Sequence, residues 1–232
     1  MKVEKWAVDV SCLALLVLLL PLFSSCQTDS YDKGEGELSL TQADFVEAHA
    51  DGSKRIDRVL TDDGQELTLQ TPAEAKWITT ADSVYRAVLY YNKVEGTPAT
   101  VVPVALSAIS TLSLHPAEYF KEGVKTDPVT FESMWKSRNG RYVNIGMYLK
   151  VGKTDSDEKL HRVGMVLEGI VTHPDRRTTA CLRFYHDQGG VPEYYSSKCY
   201  VSIPCQEITA DSVCVTLNTY GGTVTRRFCL DP

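Results

Sequence analysis

The sequence predicts an all-β chain: a five-stranded OB-like barrel followed by an antiparallel β-sandwich, behind a short apolar leader. Three observations lead there. Short runs alternate apolar and polar residues, turn residues punctuate them at even spacing, and charge divides unequally between two halves of the chain. Residues 27–112 hold 14 acidic and 7 basic side chains, whereas residues 113–232 hold 14 and 15. Such a shift marks two structural units.

The leader, residues 13–26, reads LALLVLLLPLFSSC. Its apolar run falls short of the roughly 20 residues that span a bilayer. It suits the core of a signal peptide, about 7–15 residues long. Lys2 and Lys5 supply positive charge ahead of it, diluted by Glu4 and Asp9. Two small serines before Cys26 complete the layout of a bacterial lipoprotein signal, in which the Cys26 thiol accepts the lipid. Cleavage near Ser25 without lipid is the alternative. The expected organisation is a signal peptide over 1–25 and a flexible, acidic, Gly-containing tether over 26–36. The location that follows is the cell envelope, lipid-anchored, at the outer membrane. Removing the leader leaves 207 of 232 residues, enough for two small domains.

The barrel is expected over 37–114. Residues 55–61 and 65–70 flank Asp62-Asp63-Gly64, a hairpin with a glycine in its turn. Residues 83–92 and 100–112 flank a second turn, and Pro103 marks an edge or a bulge in the latter run. With residues 38–46 in front, the count is five short strands, the OB number. A linker is expected over 115–126, where Pro116 and Gly123 fall. The sandwich is expected over 127–232. Asp127-Pro128 looks like an N-cap and first helical residue, so VTFESMWKSR is expected as a short helix or turn. Residues 141–151 alternate cleanly, with Val143, Ile145, Met147, Leu149 and Val151 on one face. Five further strand-like runs follow, over 160–172, 179–187, 198–205, 212–220 and 223–231.

These stretches carry a family likeness. DPVTFESMWKSRNGRYVNIGMYL, LRFYHDQGGVPEYYSSKCYVSIP and the hairpin RVLTDDGQELTL resemble the NigD-like lipoproteins of Bacteroidetes. The resemblance implies a lipobox, an OB-like N-terminal domain and a C-terminal β-sandwich. It brings no cofactor and no catalytic residues, and it hints at an envelope role.

Catalytic patterns are weak throughout. GMYLKVGKT at 146–154 has five residues between its glycines, where a phosphate loop needs four, and it lies in an alternating strand. His186-Asp187 with Ser196 and Ser197 lacks a nucleophile elbow, and a strand-end His beside a turn-forming Asp explains it better. Asp155, Asp157 and Glu158 lack the glycine and terminal Glu of a calcium loop. Cys/His spacing for zinc is absent, so no metal, no cofactor and no catalytic residue is assigned. A net charge of −6, with no basic run longer than the pairs Arg176-Arg177 and Arg226-Arg227, argues against nucleic acid. The loop DQGGVPEYYSS is the candidate for ligand binding, through Glu193, Tyr194 and Tyr195, because paired aromatics stack on sugars or anchor proteins. The expected function is a non-catalytic envelope lipoprotein that displays two β-domains for binding or scaffolding. A glycan or an envelope protein is the candidate partner. The alternatives are a glycan-acting hydrolase and an immunity or inhibitor protein against a secreted toxin.

The remaining cysteines crowd the last quarter of the chain. A two-residue turn at Gly221-Gly222 would pair Tyr220 with Thr223, and therefore Cys214 with Cys229. Those two are the disulfide candidates. Cys199 and Cys205 share one strand face about 20 Å apart and cannot join.

Overall fold

The computed structural model describes residues 40–153 and 160–230. The expected signal, the tether, Cys26 and the acidic loop at Asp155, Asp157 and Glu158 lie outside the described residues.

Five strands close the barrel: β1 (Gln42–Ala50), β2 (Ile56–Thr61), β3 (Glu66–Ala73), β4 (Val84–Lys93) and β5 (Thr100–Ala108). They follow the order β1-β2-β3-β5-β4, with β4 returning to β1. The join between β3 and β5 is parallel, through Thr68↔Thr100 and Leu69↔Val101. Inward positions Val46, Ala48, Ile56, Val59, Leu67, Leu69, Ala87, Leu89 and Val101 fill the interior. Gly64 takes φ +83° in the β2–β3 turn, a conformation that costs glycine least. The ladder between β4 and β5 shifts register at Tyr90/Tyr91, opposite Ala105 and Pro103. Proline has no N–H to give the ladder, so the bulge sits beside it as expected.

The rest of the chain forms a two-sheet sandwich. One sheet runs β14 (Gly222–Cys229), β13 (Ser212–Thr219), β11 (Thr178–Asp187), β10 (Arg162–Thr172) and β7 (Leu114–His115). The other runs β6 (Ser110–Thr111), β12 (Tyr195–Pro204), β9 (Tyr142–Val151) and β8 (Thr130–Lys136). Val143, Ile145, Met147 and Leu149 are buried in its core, as their alternation requires, against Leu182, Phe184, Val213, Val215 and Leu217. Three joins are parallel: β11 to β13, β10 to β7 and β12 to β6. The chain therefore enters the sandwich at Ser110, ahead of the linker expected at 115–126.

Two local expectations fail for physical reasons. The segment after Asp127-Pro128 is strand β8 rather than a helix or turn. A bulge between Phe131 and Ser133 sets Phe131 and Met134 on the same core-facing side, a three-residue spacing that imitates a helix. Asp127 caps nothing; its carboxylate accepts the Gln188 N–H at 2.7 Å.

The second failure is the pairing of Cys214 with Cys229. The hairpin turn lies one residue earlier, at Tyr220-Gly221, so Thr219 pairs with Gly222 and the register places Cys214 against Arg227 and Cys229 against Ser212. The Thr219 hydroxyl accepts the Gly221 N–H at 3.2 Å and donates to the Gly222 carbonyl. The Tyr220 N–H donates to the Val129 carbonyl, and left-handed backbone is needed only at Gly222, φ +108°. Cys214 and Cys229 thus become diagonal neighbours, roughly 7–8 Å apart. A disulfide spans about 4.4–6.8 Å. Both thiols are free.

Barrel and sandwich share an interface. Outward residues of β1 and β4 meet the outer face of the β12-β9-β8 sheet. Phe45 lies edge-on to Trp135 (5.2 Å) and Tyr200 (5.1 Å). Beside it the buried Arg86 donates through Nη2 to Asp62 (2.7 Å) and Asn144 (3.1 Å), and through Nε to Ser202 (3.1 Å). Its guanidinium stacks over the Tyr142 ring at 4.1 Å.

Candidate functional site

Two surfaces are the candidates for binding. The first is a cleft of about 720 Å³ whose floor is the barrel's outer wall and whose side is the sandwich edge. Adjacent strands supply the floor in two rows. Arg86, Glu47, Leu60 and Glu66 form one, and Val84, His49, Arg58 and Thr68 the other. Arg141, Tyr142, Pro204 and Glu207 form part of the wall. Three carboxylates, Glu47, Glu66 and Glu207, line this cleft. Glu47 is committed on both oxygens, to the Tyr142 hydroxyl and to Arg141, each at 2.8 Å. Burial and the Glu47 charge push the Tyr142 phenol up to about 12, so it stays a donor to Glu47. Glu207 accepts from the Ser113 hydroxyl and the Leu114 N–H, both at 3.3 Å. Glu66, by contrast, makes no such bond among the described residues. The floor and wall are built to hold each other.

The second surface is the end of the sandwich where the loop after β11 meets the β13–β14 turn. Tyr194 is 79% exposed and Tyr195 60%. Tyr220, at the tip of the hairpin, is 48% exposed, and its hydroxyl donates to Glu193 at 3.1 Å. Glu193 and Tyr194 lie in the loop, whereas Tyr195, expected within it, opens strand β12 and pairs with Val151. Sequence reasoning missed Tyr220, which lies 27 positions from Glu193 in the chain. Arg86, Glu47 and Tyr142 were also missed, being far apart in the chain. Their one signal was local: Arg86 and Glu47 interrupt apolar strands at positions that should face solvent.

The loop has a firm base. Asp187 accepts the Gly189 N–H at 3.0 Å and pairs with Lys125 at 2.9 Å, and the Lys125 ammonium holds its carboxyl below the usual range. This bears out Asp187 as a turn-forming residue. His186 is buried, with Nδ1 3.0 Å from the Asp127 carbonyl and Nε2 3.0 Å from His161 Nδ1. A carbonyl only accepts, so His186 carries a proton on Nδ1, and with both rings neutral it receives the His161 Nδ1–H on Nε2. Burial, then the neighbouring His186, pushes His161 below its usual value. The unfolded chain then binds more protons as the pH falls below about 6.5, so this stabilisation is full above that value and lost below it. Thermal unfolding of the wild type should show a lower Tm at pH 5.5 than at 7.5. His161→Gln should flatten that change; an equal slope in the variant would assign the dependence elsewhere.

Among the described residues no group of three or more His, Cys, Asp or Glu is arranged to hold a metal ion. No described helix is long and apolar enough to cross a membrane.

An OB-type barrel packed against a two-sheet sandwich, with an aromatic loop end, defines a class of two-domain β-proteins. Residues 111–229 match the NigD-like C-terminal beta sandwich domain, and the chain belongs to that family. Solved structures share the fold. A NigD-like immunity protein from Bacteroides caccae is 24% identical with a TM-score of 0.66, over 82% of this chain and 97% of that one. A candidate toxin-related protein from Parabacteroides distasonis is 18% identical with a TM-score of 0.60, over 81% and 92%. A candidate lipoprotein from Bacteroides fragilis is 12% identical with a TM-score of 0.54, over 81% and 96%. At these identities the likeness is one of fold. Among curated proteins, no relative matches this sequence.

Proposed function

We propose that this is a non-catalytic lipoprotein of the outer membrane, tethered through Cys26, that binds a protein partner at the tyrosine end of its sandwich. The carrying observation is the joint exposure of Tyr194 in the loop, Tyr195 at the start of β12 and Tyr220 in the β13–β14 turn, with the Tyr220 hydroxyl bonded to Glu193. Tyrosine offers a large amphipathic surface with few rotatable bonds, so it loses little entropy on binding. Three exposed rings at the loop end of a sandwich suit a protein surface better than the mixed-charge cleft does. The immunity name of the Bacteroides caccae structure supports a toxin as that partner. The leader before Cys26 supports the anchor, as does the lipoprotein name of the Bacteroides fragilis structure.

The test is cross-linking and recovery from intact cells. The wild type should be recovered in the membrane fraction with a defined partner. Cys26→Ala should move the processed chain to the soluble fraction. Tyr194→Ala with Tyr195→Ala should lose the partner by at least tenfold while Tm stays nearly unchanged, since exposed substitutions cost within about 0.5 kcal/mol. Unchanged recovery from the double variant would overturn the tyrosine surface, and a membrane-bound Cys26→Ala chain would overturn the anchor.

A further inference from the structure

The register that separates Cys214 from Cys229 gives Cys214 a different neighbour. β11 and β13 run parallel, pairing Ala180 with Val213, Cys181 with Cys214 and Leu182 with Val215. Ala180, Leu182, Val213 and Val215 are buried in the core between the sheets. Side chains alternate along a strand, so Cys181 and Cys214 both stand on the sheet's outer face. Each is a half-buried free thiol. Directly opposed residues on neighbouring strands lie about 4.8 Å apart. That falls within the roughly 4.4–6.8 Å between the Cα atoms of a disulfide. On its other side Cys214 meets Arg227, and Cys229 is opposite Ser212, so among the described cysteines Cys181 alone is in register with Cys214.

We propose that Cys181 and Cys214 are an oxidisable pair that closes to an intrachain disulfide stapling β11 to β13. The oxidant is a small-molecule or protein disulfide. The thiolate of one cysteine attacks it, forming a mixed disulfide and expelling one sulfur as a thiolate. The second cysteine then displaces the other half. One S–S bond forms in the protein, one is lost from the oxidant, and the two protons given up by the cysteines end on the two released thiols. The placement has a structural consequence. The chain between β11 and β13 leaves the sheet, carries the tyrosine loop and β12 of the opposite sheet, and returns. A bond between Cys181 and Cys214 closes that excursion into a loop. Because both sulfurs stand on the outer face, reductant reaches them as oxidant does, and the staple is reversible.

The purified full chain is equilibrated with excess glutathione disulfide, its remaining thiols are alkylated, and its peptides are mapped unreduced by mass spectrometry. The expected product is a peptide pair joined through Cys181 and Cys214, with Cys199 and Cys205 still alkylated. Oxidation should raise Tm by about 5–10 °C, reversed by dithiothreitol. Cys214→Ser and, separately, Cys181→Ser should each abolish the joined peptide and the rise. Alkylation of both cysteines after oxidation, glutathione adducts alone, or a Cys214–Cys229 peptide would each overturn the assignment.

Discussion

Replacing Arg86 with methionine is expected to lower stability by about 3–5 kcal/mol, the range for breaking one side of a buried ion pair. In a chain of this size that is a fall in Tm of roughly 10 °C. The cause is what stays behind. Asp62 would keep its charge at a largely covered position with only the Asn144 amide to meet it, at 2.9 Å. Asn144 and Ser202 would lose a shared cation, and the face of Tyr142 would lose the guanidinium stacked on it. Arg86 lies on the barrel and its partners Asn144, Ser202 and Tyr142 on the sandwich, so the loss should loosen the cleft as well. Urea unfolding of R86M, Asp62→Asn and the double variant checks this. The double variant should be less destabilised than the two singles added together, because neither charge is left alone. A loss below about 1 kcal/mol in R86M would mean that the network contributes orientation and no stability.

Gly189→Ala is expected to cost about 3 kcal/mol and to displace the tyrosine loop. Gly189 sits at φ +61°, where any side chain is strained, and a Cβ there would run into the carbonyl oxygen of Leu160. A backbone atom cannot swing aside as a side-chain tip can. The loop must lift, and with it the base formed by Asp187 and the Gly189 N–H. Hydrogen exchange should show faster exchange at the Val191 and Tyr194 amides, which are bonded to Gln188 and Val151. Gly190→Ala is the control: it also has positive φ, but nothing lies within 4 Å of its added Cβ. Equal effects at the two glycines would show that backbone strain alone, and not the approach to Leu160, accounts for the loss.

By itself the sequence determined the fold class, the OB-like strand count and the alternating face of β9. Each depends on residues within one strand or one turn, where period-2 burial and turn chemistry act locally. The same locality made Glu193 and Tyr194 legible as a loop and Asp187 as its turn-former, while Tyr195 belongs to the start of β12. Pattern failed where geometry departs from period 2. Asp127-Pro128 has the residue types of a helix start, although β8 follows with a bulge at Glu132, and one residue of slippage at Tyr220-Gly221 moved every partner across the last hairpin. A hairpin's register follows from which residue takes positive φ and from distant bonds such as Tyr220 to Val129, and neither shows in a Gly-Gly pair. Only the tertiary structure could bring Arg86 to Asp62, Asn144 and Ser202, or set Cys181 beside Cys214 and Tyr220 beside Glu193. Those contacts join residues up to 116 positions apart in the chain, as for Arg86 and Ser202. They are decided by how barrel and sheets pack, and packing is a property of the whole chain rather than of any stretch of it.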